Sequence, residues 1–277
     1  MSVVTRKKDF CLVFKVKNAN PNGDPLGGNR PRTTSEGLGE VSDVCLKRKL
    51  RNRLQEMGEN IFVQSDENVN DGMKSLSERF NSFKKELSKE EEKNTSILAG
   101  RVCEKWFDVR AFGQVFAFKA QKGVDEVSLG IRGPITIQSA FSVEPVTIES
   151  LQITKSVNSE NTENGKKSSD TMGTKHRINH GVYVTYGSIS PQLASKTGLR
   201  DEDVELFKKA LVTIFDNDES SARPSGSMEV VQVIWWNHNS KNGQYPSSKV
   251  HESVHVDAEG NITIDSLEDL KPKLLVK

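Results

Sequence analysis

The sequence predicts an α+β sandwich of the ferredoxin type, interrupted by two insertions. Three observations predict it. Apolar residues alternate with period two near the N-terminus, and two later segments carry apolar stripes at helical spacing. The order of patterns along the chain is strand, helix, strands, helix, strand. Two polar segments, 58–100 and 158–174, break that order and read as excursions from the sandwich.

Each element has a local reason. Phe10, Leu12, Phe14 and Val16 alternate with Cys11, Val13, Lys15 and Lys17, the pattern of a strand with one well-buried face. The strand ends at Asn18-Ala-Asn-Pro-Asn-Gly-Asp-Pro, and a turn-rich loop continues through Asn29-Arg-Pro-Arg to Gly39. A loop this long in a compact domain is usually functional or disordered. Ser42 is placed to cap a helix with Asp43 in its first turn, and Leu46, Leu50, Leu54 and Met57 form its stripe. Residues 58–100 are polar and acidic and read as an inserted arm. Core-like composition returns at 106–118, and 135–141 is rich in β-formers. A Ser/Asn/Gly/Lys-rich mobile tip at 158–174 separates two expected strands, the second over 178–186. A helix over 201–215 has an acidic first turn and the stripe Val204, Phe207, Leu211, Ile214. Strands are expected at 228–236, 249–256 and 262–264.

Composition bounds the class. The chain has 277 residues, of which 34% are hydrophobic, 28% charged and 6% aromatic. That composition supports a thin core with many residues on arms and loops. No stretch approaches the roughly 20 apolar residues of a membrane span, which argues against an integral membrane protein. The charged N-terminus has no apolar core behind it, which argues against secretion. Cys11, Cys45 and Cys103 are too scattered for a disulfide framework or zinc knuckle, and this points to a reducing cytoplasm. Net charge is +1, distributed as +7 over 1–53, −4 over 54–100, +4 over 101–200 and −6 over 201–277. Such polarity suits binding to a polyanion and to oppositely charged faces of a second copy.

Most short motifs carry no chemistry. His251-Glu-Ser-Val-His255 satisfies the H-E-x-x-H zinc hydrolase pattern, which needs a helix. The surrounding valines suggest a strand, along which the two imidazoles stand about 13 Å apart. Gly37-Leu-Gly begins a dinucleotide fingerprint but lacks its third small residue and its feeding strand. His176 and His180 flank Arg177 in a basic stretch without an adjacent nucleophile, which suits a nucleic-acid contact or a solvated strand. No cofactor and no metal site is expected. The strongest feature is Leu46-Lys-Arg-Lys-Leu-Arg-Asn-Arg-Leu, where five of the seven residues 47–53 are cationic. Acidic partners are missing between 44 and 55, so this helix reads as a phosphate-binding surface.

Several of these runs resemble one family. Asn18-Ala-Asn-Pro-Asn-Gly-Asp-Pro, Asn29-Arg-Pro-Arg and Val41-Ser-Asp-Val-Cys-Leu-Lys-Arg-Lys-Leu-Arg look like the N-terminal signature of the type I-C CRISPR Cascade backbone subunit. The similarity continues through Trp106-Phe-Asp-Val-Arg-Ala-Phe-Gly, Arg132-Gly-Pro-Ile-Thr-Ile-Gln-Ser-Ala-Phe, Met172-Gly-Thr-Lys-His and Gly181-Val-Tyr.

The resemblance implies a single RRM-like palm over 1–277, a helical finger inserted at 58–100 and a β-hairpin thumb at 151–180. It implies a non-catalytic protein whose copies stack head to tail along CRISPR RNA and display guide bases to a target DNA strand. Its other partners are further Cascade subunits and a recruited helicase-nuclease. By position, Ser42, Lys47, Arg48 and Arg51 fall on the basic palm helix, and Asn18, Asn20, Asn29, Arg30 and Arg32 in the adjoining loop. Met172, Lys175, His176 and Arg177 fall near the thumb, with Met172 a candidate wedge against a base. Reversing Lys47 and Arg51 to glutamate is expected to strip RNA and leave the fold intact. Two alternatives are an endoribonuclease of the same superfamily with His176 as general base, and a zinc hydrolase using His251, Glu252 and His255.

Overall fold

The computed structural model describes residues 2–118, 127–154 and 172–275. The first strand, β1 (Lys8–Ala19), leads into a loop holding two short strands, β2 (Gly23–Asp24) and β3 (Arg30–Pro31). Then come β4 (Leu38–Val41) and the first helix, α1 (Asp43–Glu56). A helical insertion follows, with α2 (Leu76–Lys84), α3 (Lys89–Lys93), α4 (Thr95–Lys105) and α5 (Phe107–Phe112). The chain returns through the hairpin β5 (Gly113–Phe118) and β6 (Val127–Arg132), then β7 (Ile135–Ile137) and β8 (Ala140–Pro145). A long ribbon is made by β9 (Ile148–Thr154) and β10 (Met172–Ile189). Next are α6 (Pro191–Thr197), α7 (Asp201–Val212) and β11 (Met228–Asn237). The C-terminal part holds α8 (Ser247–Glu252), β12 (Val254–Val256), β13 (Ile262–Ile264) and β14 (Pro272–Leu275).

The ferredoxin order is present. The elements β1, α1, β8, β10, α7, β11 form the βαββαβ unit, and the sheet runs β14-β11-β1-β10-β8-β4 with β7 and β9 also paired to β10. Every pairing in it is antiparallel. The β1–β10 ladder is the longest, running from Lys8 opposite Ile189 to Ala19 opposite Ile178. Near one end of it, opposite Phe10, Gly187 is required, because a Cβ there would lie 2.2 Å from Phe10 Cζ and 2.3 Å from the Thr136 carbonyl.

The expected single buried face of β1 is corrected to two. Phe10, Leu12, Phe14 and Val16 join Leu46, Leu50 and Leu54 of α1 and Val204, Phe207 and Leu211 of α7 in the main core. Cys11 and Val13, on the opposite face, are equally buried beneath Val250 of α8, Val254 of β12 and Leu270. Truncating any of the three α1 leucines to alanine would cost about 2–5 kcal/mol. The C-terminal segment is thus a third layer, which no local pattern announced.

A separate core holds the insertion. Phe62, Phe80, Phe83, Leu98, Val102 and Trp106 pack together with Phe116 and Leu129 of the β5–β6 hairpin. The helical part therefore extends past residue 100 to the end of α4, and the hairpin packs with it. The strand expected at 249–256 is corrected as well, since its first half is α8 and only its last three residues are extended. Pro246 fixes the N-cap of that helix, and Val250 is its buried residue. The second member of the ribbon begins at Met172, earlier than the expected 178. Of the expected mobile tip at 158–174, residues 158–171 lie outside the described residues, and 172–174 are corrected to strand, since they open β10.

The third layer is clamped by a buried charge. Asp9 is fully buried and receives a 2.7 Å hydrogen bond from His238 Nε2, while Gln244 N–H donates to His238 Nδ1 at 3.0 Å. Lys7 Nζ stands 3.1 Å from the same carboxylate and His251 Nε2 3.6 Å away. Burial alone would raise the Asp9 carboxyl, but these two imidazoles, Ser247 and the Lys7 charge outweigh it and hold it well below the usual carboxylate range. Its stabilising contribution is therefore present at neutral pH and is lost as pH falls through the depressed folded-state value. Asp9→Asn is expected to lower unfolding free energy at pH 7 by about 3 kcal/mol. In chemical denaturation that gap should narrow as pH drops below about 4.

Candidate nucleic-acid interface

The loop after β1 is a built structure. Asn18 and Asn29 hold left-handed backbone, at φ 53° and 61°, a conformation asparagine tolerates better than most residues. Asn20 is buried and donates from Nδ2 to the Asn29 carbonyl at 2.7 Å. Gly23 makes room for that closure, because a Cβ there would collide with the Asn29 side chain. Arg32 pairs with Asp24 at 3.3 Å across the β2–β3 hairpin. Asn22 fastens the loop to α1, its Oδ1 accepting from both the N–H and the hydroxyl of Ser42 at 2.9 Å. Ser42 is the N-cap, accepting from Cys45 N–H. Its hydroxyl is thus engaged within the chain.

The same loop touches the ribbon. Arg30 donates to Ser150 Oγ at 3.2 Å, and that hydroxyl stands 2.8 Å from His176 Nδ1. In register, Ser150 faces His176, Leu151 faces Lys175 and Thr154 faces Met172. Met172 is 60% exposed and accepts at sulfur from Gln152 Nε2. Arg177 is paired with Glu149 at 2.8 Å. The structure therefore brings Asn20, Asn29, Arg30, Ser42 and His176 into one connected region, with Lys175 and Met172 further out on the ribbon. His180 is exposed at the ribbon's base, opposite Lys17.

The helix cations behave differently. The expectation that α1 lacks acidic partners is corrected, because carboxylates arrive from outside residues 44–55. Lys47 pairs with Asp43 at 3.0 Å. Lys49, 4% exposed, pairs with Asp218; burial lowers its pKa, and that charge offsets only part of the shift. Arg51 pairs at 2.9 Å with Asp108, a carboxylate 1% exposed that also accepts from the Phe62 and Val63 N–H groups. Arg53 pairs with Glu56 at 2.8 Å. Arg48 donates to the Val63 carbonyl at 2.6 Å, and burial, then the neighbouring Arg51, lowers its pKa. Arg48 and Arg51 thus bind the insertion to the palm. Reversing Arg51 would set two carboxylates together in a buried place, so it cannot leave the fold intact.

The histidine match is divided between two elements. His251 sits on α8 beside Asp9, whereas His255 on β12 bonds Asp265 at 2.9 Å. Among the described residues no group of three or more His, Cys, Asp or Glu is placed to hold a metal ion. None of the described helices is long and apolar enough to cross a membrane. Sequence reasoning missed Asn22 and Ser150. Asn22 lay inside the asparagine-rich run already noted, while nothing around Ser150 marked it, because its role comes from strand register.

The sequence pattern of the family described as CRISPR-associated protein Cas7 matches residues 6–274. A curated relative, the CRISPR-associated protein Cas7 of Haloferax volcanii, is 29% identical over 218 residues. That match takes in 72% of this chain and 61% of the relative, so the chain spans less than two thirds of the relative's length. The fold is similar to a chain of a solved CRISPR RNA-guided surveillance complex in a pre-nicking state. The TM-score is 0.51 at 17% identity, over 83% of this chain and 75% of that one.

The two edges of α1 separate in a stability measurement. Arg51→Ala should cost about 3 kcal/mol in chemical denaturation, since it leaves Asp108 buried and unpaired. Lys47→Ala, at a more exposed pair, should cost no more than about 0.5 kcal/mol.

Proposed function

The chain belongs to the CRISPR-associated protein Cas7 family, and from that premise we propose that it is a backbone subunit of a type I-C CRISPR surveillance complex that coats guide RNA without cutting it. One observation carries the reading. The asparagine loop, the capped start of α1 and the protruding β9–β10 ribbon are fastened together through Asn22–Ser42 and Arg30–Ser150–His176. Backbone amides, carboxamides and the Arg30 and Lys175 cations there suit phosphate and ribose, contacts that ignore base identity. Sequence information then resides in pairing between the guide and a target DNA strand.

In this reading the ribbon is the thumb, the helical insertion is the finger, and Met172 is the wedge that separates neighbouring bases. Arg30, Lys175 and Lys47 meet phosphates, with Asn18, Asn29 and Arg32 beside them. Arg48 and Arg51 serve by holding finger to palm, and Ser42 and Asn20 by shaping the loop. His176 and Arg177 line the ribbon. The alternating charge of successive segments suits head-to-tail stacking, which makes an open filament when the rotation does not close. The remaining partners are other Cascade subunits and the helicase-nuclease recruited after pairing. Type I-C rests on the Asn-Pro-Asn-Gly and basic-helix motifs.

A second reading, an endoribonuclease acting on repeat RNA, draws on the Ser150–His176 contact at 2.8 Å. Labelled repeat RNA incubated with pure protein decides between them, because site-specific cuts would rule out a passive coat.

Arg30→Ala with Lys175→Ala should lower the 260/280 absorbance ratio of purified protein while leaving the melting temperature unchanged. Each phosphate contact removed should reduce the slope of log K against log salt by about 0.7 for single-stranded RNA. Full retention of RNA and slope by the double variant would place the guide elsewhere.

A further inference from the structure

The β2–β3 hairpin within the asparagine loop ends in an apolar tip. Leu26 is 98% exposed, and Pro25 beside it is exposed as well. A leucine so placed adds nothing to the chain's own core, so its whole apolar surface is open to a partner.

The tip is held in one shape. Asp24 organises it, its carbonyl accepting from the Gly27 and Asn29 N–H groups at 3.1 and 2.7 Å. Its Oδ1 accepts from the Leu26 N–H at 3.3 Å and pairs with Arg32. The Arg30 N–H donates to the Gly27 carbonyl, and Gly28 and Asn29 turn the chain with φ of 65° and 61°. Pro25 has its own φ fixed by its ring. A projection ordered in advance binds with little further loss of conformational freedom.

Two polar groups flank the leucine. The Gly28 N–H has no partner among the described residues, and the space beside its Cα is open to at least 4 Å. Arg30 is exposed and spends one N–H on Ser150 Oγ. Ser150 faces His176, and side chains four apart on a strand share a face, so His176 and Met172 stand on one side of the ribbon. The hairpin therefore flanks the ribbon face that carries Met172.

We propose that Leu26 packs against a base or ribose of the bound RNA strand, while the Gly28 N–H and the Arg30 guanidinium take adjoining phosphate oxygens. The inference rests on the guide-coating reading and deepens it, adding an apolar contact from the palm to the one on the ribbon. Leucine serves as a wedge between base steps in proteins that kink a duplex. Apolar packing and a backbone N–H both ignore base identity, as a coat requires. The Asp24 carboxylate near the tip is paired with Arg32, which reduces its repulsion of phosphate.

The test is a fluorescence-anisotropy titration of the full chain, freed of RNA by nuclease and high salt, with labelled oligouridylate at several salt concentrations. Leu26→Ala should weaken binding roughly tenfold, or about 1.4 kcal/mol, at every salt concentration. The slope of log K against log salt should stay unchanged, because the lost contact is apolar. Leu26→Met, which conserves volume and apolarity, should bind like wild type. Arg30→Ala should instead flatten the slope by about 0.7. Leu26 supports no core, so the melting temperatures of its variants should match wild type. Equal affinity of wild type and Leu26→Ala overturns the proposal and leaves guide coating standing. A Leu26→Ala defect that disappears as salt rises overturns it too, since that marks an electrostatic contact. Absence of binding by wild type at any salt concentration would sink guide coating as well, so the two failures are distinct results.

Discussion

Phe10, Leu12 and Phe14 point to one side of β1 and Cys11 and Val13 to the other, and all five are fully buried. The first strand of the sheet is thus closed above and below, by α1 and α7 on one face and by α8, β12 and Leu270 on the other. An RRM with an open sheet stacks bases on aromatics of its central strands. Here the aromatics of β1 and β11 serve the interior, as Phe10 lies between Phe207 and Trp235 at 5.5 and 5.6 Å. Any strand of nucleic acid is displaced to edges and loops. The features that remain there are the asparagine loop, the β9–β10 ribbon and the capped end of α1.

Closure of the sheet also decides where charge is available. A cation brought into a packed layer must find a carboxylate or a ring of carbonyls, because an unpaired buried charge costs several kcal/mol. Lys49 and Arg51 lie where α1 meets neighbouring chain, and each has its acid there, whereas Arg53 pairs within the helix with Glu56. The excess of +7 in the first segment is therefore partly neutralised across the fold by Asp108 and Asp218, residues of distant segments. Exposed Arg30 has no carboxylate within ion-pair distance among the described residues, and it makes a single bond to a serine hydroxyl. Charge counted along the chain located the basic region, whereas pairing across the fold decides which members of it remain free.

How much of this was legible in sequence follows from the range of each interaction. The first strand, α1 with its Ser42 cap, α7 with Asp201 to Asp203 in its first turn, and β11 are written in residues close to one another, and all lie where the sequence placed them. The full span of β10 was hidden, because Gly173, Gly181 and Gly187 dilute its strand character, and Gly181 and Gly187 depend on space that only the folded ladder defines. The valines around His251 suggested a strand, yet Pro246 and the burial of Val250 set a short helix. The asparagine loop was marked as a candidate by its turn residues. Its fastening to Ser150 was not, since ladder register between separated strands leaves no local mark.

The ribbon shows why one strand must be so long. Two strands alone are marginally stable in water. The outer half of β10, from Met172 to Ile178, has only β9 beside it, while the inner half is locked to β1 over its whole length. Continuity of one backbone thus lends the ribbon the rigidity of the sheet, and Arg30 braces its base from the side. Leu151 and Ile153 on one face and Met172 on the other remain largely exposed. Burying such side chains stabilises by about 25 cal/mol per Å² of apolar surface removed from water. A ribbon stiffened from within, with Leu151 and Ile153 exposed on one face and Met172 on the other, gains from contacts outside its own chain.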